Sequence, residues 1–276
     1  MKRKLCRLCV MLLLLLGAVV SLVPFYWLVR SSFMTMMEIY IMPPLLWSRS
    51  TTLENLRTVF FADVPFFRYV LNTIVVVVPV VIGTVFSSSI AAYGFSRFRF
   101  PFRNGWFAVC LSSMLIPGAV TLIPGFLIWQ KLGLVNTYGP LIIPAFFGGG
   151  AYNIFLFRQF FMTIPKELDE SARIDGAGTL RIYARILLPL LRPVAIVVGL
   201  FTFMGTWNDF FGPLMILYDM DKYTIALGLQ LFTSAYGSNY GAVMAGALVM
   251  TIPTVVLFFI GQRYFVEGIV TTGLKG

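Results

Sequence analysis

Five stretches of this chain carry no charged residue, and each is long enough to cross a bilayer: residues 8–29 (22 residues), 69–96 (28), 104–130 (27), 132–157 (26) and 223–262 (40). A hydrocarbon core about 30 Å thick needs roughly 20 apolar residues wound as a helix, because lipid offers the backbone no hydrogen-bond partner and the helix satisfies its own amides. Only 12% of the 276 residues are charged, about half the share in a soluble domain. A soluble globular fold is therefore excluded, and the chain reads as an all-α integral membrane protein.

Turn and charge signals divide it into six spans, near residues 8–29, 67–94, 106–129, 139–161, 189–204 and 242–262. The start, Met1-Lys2-Arg3-Lys4 before the first apolar run, is not a cleaved leader: the run exceeds a leader's 7–15 residues and no A-x-A site follows, so the first span is retained. Residues 30–68, with Pro43-Pro44 and a short helix near 51–56, form one outer loop; residues 205–240 form another, with room for a re-entrant turn. Pro117-Gly118 and Pro124-Gly125 break the third span, which suits a position inside the bundle or beside water, the alternative being a simple kink with no transport role. Gly148-Gly149-Gly150 lie at mid-depth of the fourth; no Lys-Ser or Lys-Thr follows them, so they serve close helix packing rather than phosphate binding. The organisation is residues 1–66 (first helix and outer loop), 67–265 (transmembrane domain) and 266–276 (short cytoplasmic tail).

The net charge of +10 follows this topology. The predicted inner segments hold 15 Lys and Arg and the outer ones 6, against 5 and 6 acidic residues, so the whole excess lies inside and orients both termini to the cytoplasm. No nucleic-acid partner is needed to explain it. The chain has no His, which removes the usual general base and metal ligand. Its three Cys offer one C-x-x-C pair, Cys6 and Cys9, with no second pair to complete a zinc site; they read as two small apolar residues at a helix start, and no metal is expected.

Residues 163–192 are the one substantial charged block in the second half of the chain. Pro165 suits a first helical position, with Glu167, Asp169 and Glu170 complementing the positive end of the helix dipole. Gly176 and Gly178 end that helix and Thr179 is placed to cap a second one towards Pro189. Leu168, Ala172, Ile174, Ile182 and Tyr183 would then be apolar knobs on a polar two-helix elbow, suited to a membrane surface or a partner's groove.

Within the elbow, Glu170-Ser171-Ala172, Gly176 after three residues, Ile186 after nine more, and Leu188-Pro189 resemble the E-A-A, x3, G, x9, I-x-L-P signature of bacterial ABC importer permeases, with Ser171 in place of an alanine. Asn72-Thr73, Ala91 to Pro101, Ile174 to Ala177, Trp207-Asn208-Asp209-Phe210 and the ending Gln262 to Gly268 with Leu274-Lys275-Gly276 are similar to the second permease of the carbohydrate (maltose-type) branch. The resemblance implies a type I ABC importer permease fold in a bacterial inner membrane, with a cytoplasmic coupling-helix pair between spans four and five. It implies as partners a sister permease in a heterodimer, two copies of a cytoplasmic ATPase that hold the ATP and Mg, and an extracellular or periplasmic solute-binding protein delivering a carbohydrate. This chain would bind no cofactor and catalyse nothing: it contains no Gly-Lys pair, hence no P-loop. Glu170, Ser171, Ala172, Arg173, Asp175, Gly176, Ile186, Leu188 and Pro189 would couple to the ATPase, Ala172 and Gly176 by close approach and Glu170 with Arg173 by pairing at the rim.

Trp207, Asn208 and Asp209, near the outer end of span five, are candidates for the translocation path, the alternative being a turn anchored by Trp207 at the interface. Asn72 joins them, although a polar packing contact explains it as well. The family resemblance puts most sugar contacts on the sister permease. A self-sufficient secondary transporter would place ionisable residues deep in its spans, and these boundaries leave none there. Another polar cargo, such as a glycerol phosphate ester, stays open as an alternative substrate.

Overall fold

The computed structural model describes residues 2–61, 64–234 and 239–273, and every regular element among them is helical. The principal helices are α1 (Lys2–Ser32), α2 (Glu54–Phe61), α3 (Phe66–Arg97), α4 (Arg103–Ser112), α5 (Gly118–Lys131), α6 (Ala151–Thr163), α7 (Glu167–Ile174), α8 (Thr179–Leu190), α9 (Arg192–Trp207), α10 (Phe211–Ile216) and α11 (Tyr240–Gly273). Four stretches are each apolar and long enough to span: Cys6–Ser32, Phe66–Arg97, Gly139–Thr163 and Tyr240–Arg263. Two bent pairs, α4 with α5 and α8 with α9, raise the number of spans to as many as six. The valine-rich run Val75-Val76-Val77-Val78 in α3 would favour a strand in water; an apolar stretch this long is helical because only the helix hides its amides from lipid.

The structure revises several boundaries. α4 and its short 3₁₀ extension meet α5 at 97°, so the Pro117-Gly118 break is a full corner, whereas Pro124-Gly125 lie inside α5 without ending it. The fourth stretch is not a continuous helix: a turn at Gly139–Ile142 and a 3₁₀ turn at Ile143–Phe146 precede the glycines, and α6 starts only at Ala151. Gly148, Gly149 and Gly150 all have positive φ (95°, 62° and 93°), which explains why the helix cannot pass through them. Close packing does hold: a Cβ on Gly149 would stand 2.7 Å from the Thr84 carbonyl oxygen of α3. The fifth apolar helix starts at Arg192, after a 76° bend, and ends at Trp207. α11 continues beyond Gln262 to Gly273, so most of the predicted tail is helix; Leu274, Lys275 and Gly276 lie outside the described residues.

The chain forms two compact units. One takes the residues up to Arg68 with Leu227–Pro253. Most of α1 exposes its apolar surface, including Leu12 to Leu16, and only its last turn is buried. There Thr35 and Glu38 cap the one-turn helix Met36–Ile39 reciprocally. Asn55 of α2, 5% exposed, donates to the carbonyls of Ser32 (3.2 Å) and Met34 (2.7 Å), pinning α2 to the end of α1. The other unit takes Tyr69–Ala226 with the chain from Thr254. Its core joins Tyr93 on α3, Phe157 and Phe161 on α6, Ile182 and Leu187 on α8, and Val194 and Val198 on α9.

Candidate functional site

The motif-bearing segment is two short helices held to the second unit by one side of each. On α7 the buried positions are Asp169 and Ala172, three residues apart and so on one face. Arg97, the last residue of α3, sets its Nε 2.8 Å from Asp169 Oδ2, with both side chains at most 10% exposed. The same guanidinium donates through Nη2 to the Ile164 carbonyl at 2.9 Å, so Arg97 grips the end of α6 and the start of α7 together. Ala172 enters the core beside Tyr93 and Phe161.

The elbow between the helices is a Schellman turn: Ala177 N–H donates to Ala172 O (2.9 Å), Gly176 N–H donates to Arg173 O (3.0 Å), and Gly176 takes φ +78°. Nothing lies within 4 Å of a Cβ built on Gly176, so within this chain the residue answers to backbone conformation and not to crowding. α8 is fixed from the α3 side. Tyr93 Oη donates to Thr179 O (3.4 Å), Tyr183 Oη and Ser89 Oγ share a hydrogen bond of 2.7 Å, and the Tyr93 and Tyr183 ring centroids are 5.2 Å apart. A π-helical turn over Tyr183–Leu187 turns Ile182, Tyr183 and Leu187 into the core.

Several predicted positions are corrected. Pro165 precedes Lys166, the N-cap of α7, and is not its first residue; Thr179 is the first residue of α8, behind Gly178, and caps nothing with its side chain. Ala172, Ile182 and Tyr183 face the protein's own core, because the π turn and the Arg97 anchor rotate them inward. The apolar knobs that stay outside are Leu168 (40% exposed), Ile174 (87%) and Leu180 (82%), among exposed Glu170, Ser171, Arg173, Asp175 and Gly176. Among the described residues Glu170 and Arg173 form no ion pair with each other; Asp169 with Arg97 takes that place. Ile186 is half-buried against the core, while Leu188 and Pro189 lie exposed just before the bend into α9.

At the far end of α3 the other candidates separate. Asn72 donates to the carbonyls of Asp221 (2.8 Å) and Tyr223 (3.0 Å), clamping the short 3₁₀ turn Met220–Lys222 and the residue after it. Trp207 is 2% exposed and stacks on Phe203, and Asn208 bonds back to Met204 O (2.8 Å). Of the four, Asp209 lines a cavity that Asn72, Trp207 and Asn208 do not enter.

The described residues thus combine apolar helices long enough to span a membrane with an exposed two-helix elbow anchored through Asp169 and Arg97. The chain belongs to the family of binding-protein-dependent transport system inner membrane components, whose model matches residues 13–270. It is similar to the probable ABC transporter permease YurM of Bacillus subtilis, 33% identical over 92% of this chain and 83% of the relative. The arabinooligosaccharide transport permease AraQ of Halalkalibacterium halodurans is 34% identical over 82% and 80%. The sn-glycerol-3-phosphate transport permease UgpE of Escherichia coli is 33% identical over 94% of both chains. Among solved structures, a chain of a bacterial ABC transporter that imports the acidic polysaccharide alginate superposes with a TM-score of 0.84, at 22% identity over 95% of this chain and 97% of that one. The fold is thus that of a type I ABC importer permease, and the chain is a multi-pass inner-membrane ABC permease.

Proposed function

We propose that this chain is the second permease of a carbohydrate importer: six spans, both termini cytoplasmic, with residues 67–265 as the transmembrane domain. It would pair with a sister permease, two copies of an ATPase that hold ATP and Mg, and an external solute-binding protein. The observation that carries the reading is the exposed elbow: Glu170, Ser171, Arg173, Ile174, Asp175 and Gly176 face outward while Asp169 and Ala172 tie the same helix to the core. An apolar-tipped helix of this kind suits a partner's groove, and its anchor makes it a lever. Force applied at Glu170 to Gly176 passes through Arg97 into α3 and through α8 into α9. Ala172, Ile186, Leu188 and Pro189 would shape the lever from behind.

A carbohydrate cargo is supported by the arabinooligosaccharide relative, and a glycerol phosphate ester is the competing cargo. The test is co-purification from membranes of the tagged chain with its ATPase, sister permease and binding protein. Glu170→Lys and Gly176→Leu should insert normally yet lose the ATPase and solute uptake. Full uptake with the ATPase retained in both variants refutes the coupling role.

A further inference from the structure

We infer that this subunit carries its own binding site for a neutral, hydroxyl-rich solute, a single sugar ring, in the cavity bounded by Thr73, Asp209 and Thr224. The inference rests on the importer reading above and adds to it a direct substrate contact in this chain.

The cavity holds about 240 Å³ and is lined by Thr73 and Val76 of α3, Leu141, Thr206, Asp209 and Thr224, with Pro140 and Pro213 completing the apolar side. That is below the roughly 300–1,000 Å³ of pockets for drug-sized ligands, and on the scale of one ring. Thr224 is 3% exposed and its hydroxyl has no hydrogen-bond partner, an unusual condition for a buried polar group and one that a ligand hydroxyl would relieve. Asp209 uses Oδ1 to accept the Gly212 N–H at 3.1 Å, which fixes the carboxylate and leaves Oδ2 to accept from a second donor. Thr206 adds a third polar group on the same wall.

The apolar residues suit the C–H face of a ring, and the few polar groups would fix its orientation. No cation lines the cavity. The nearest in sequence, Lys222, donates to Asn136 O (3.1 Å) and lies 3.6 Å from Asp219. A phosphate or carboxylate would therefore face Asp209 with no countercharge, a repulsive element that selects neutral solutes over anionic ones.

The walls are built rather than accidental. Thr224 sits between two anchored neighbours: Tyr223 O accepts from Asn72 Nδ2 (3.0 Å), and Ile225 N–H donates to Thr73 Oγ1 (2.8 Å). Asn136 Oδ1 accepts from the N–H groups of Tyr218 and Asp219, both at 3.1 Å, and holds the start of the same loop. Thr73 and Arg97 are 24 residues apart on α3, about 36 Å along a helix. The cavity thus lies about a membrane's thickness from the elbow, where an incoming solute would arrive.

The test uses the assembled transporter in nanodiscs, with tryptophan fluorescence titrated by L-arabinose, D-glucose, glycerol and sn-glycerol 3-phosphate. At least one neutral sugar should saturate the signal and sn-glycerol 3-phosphate should not compete. Thr224→Val, Thr206→Val and Asp209→Asn should each weaken binding by about tenfold, the loss of one good hydrogen bond. Thr224→Ser should retain it, as should Asn208→Ala, whose side chain does not line the cavity. Wild-type affinity in all three weakening variants, competition by the phosphate ester, or saturation by no neutral sugar overturns the site. If the ATPase still co-purifies in that event, the importer reading stands; if the ATPase never associates, both fall.

Discussion

Removing one partner of the Arg97–Asp169 pair should free the elbow without unfolding the helices around it. At 2.8 Å and an effective dielectric near 20, the Coulomb attraction is about 6 kcal/mol. Desolvating two nearly buried charges costs several kcal/mol each, so the intact pair contributes little net stability. The contact is also incomplete: the Arg97 Nε–H is poorly aligned for a hydrogen bond and Asp169 Oδ1 has no donor. Arg97→Gln would leave the Asp169 carboxylate buried and alone, at a cost of roughly 3–5 kcal/mol. Because α7 has only eight residues and is otherwise held through Ala172 and the Schellman turn, local opening should relieve that cost. Hydrogen exchange of amides 166–177 should then accelerate by two orders of magnitude or more, with α6 and α9 protected as before. ATP-driven uptake should fall while ATP hydrolysis persists, because the lever slips. Arg97→Met combined with Asp169→Leu, which fills the site with apolar atoms, should recover most of the protection. Unchanged exchange in Arg97→Gln, or a double variant no better than the single, would falsify the idea that this ion pair mounts the elbow.

Gly176→Ala should cost about 1–2 kcal/mol, since its φ of +78° is the left-handed region and open space surrounds it; Gly176→Asn should cost less, as calorimetry of the solubilised transporter can show. Gly149→Ala should be far worse, because the added Cβ meets the Thr84 backbone at 2.7 Å as well as a positive φ; a wild-type yield of folded protein by size exclusion would contradict the α3 contact. Glu38 has its pKa lowered to about 2 from the usual 4.5, chiefly by the Ser48 hydroxyl and further by the backbone N–H groups of Arg49, Thr35 and Ser50. Its anchoring of the loop is complete above pH about 4.5 and is lost as the pH falls towards 2, so proteolysis of the loop should rise across that window. Glu38→Gln should flatten the dependence, and an equally steep profile in that variant contradicts it.

Long apolar stretches were legible because lipid leaves the backbone one solution, whatever the local propensity. The two Pro-Gly pairs of the third span were legible as candidate breaks, since proline removes a backbone donor, but only Pro117-Gly118 became a corner while Pro124-Gly125 is absorbed within α5. Position within the elbow was harder. Asp169 reads as a helix-dipole residue and Arg97 as a topology charge, and nothing in either neighbourhood says that residues 72 positions apart will meet. Spacing placed Ala172, Ile182 and Tyr183 among five outward apolar knobs, but which way a short helix faces depends on its anchors, and those anchors are tertiary. The same holds at the far end of α3. Asn72, Trp207 and Asn208 are polar or aromatic residues where a path was expected, yet each is consumed by a structural contact, whereas Thr224, with no motif around it, keeps a free buried hydroxyl. A residue that has already satisfied its polar groups can hold a site's walls but has nothing left to offer a solute. In a chain this apolar, the proposed sugar site therefore rests on unspent hydrogen-bonding capacity and not on polarity alone.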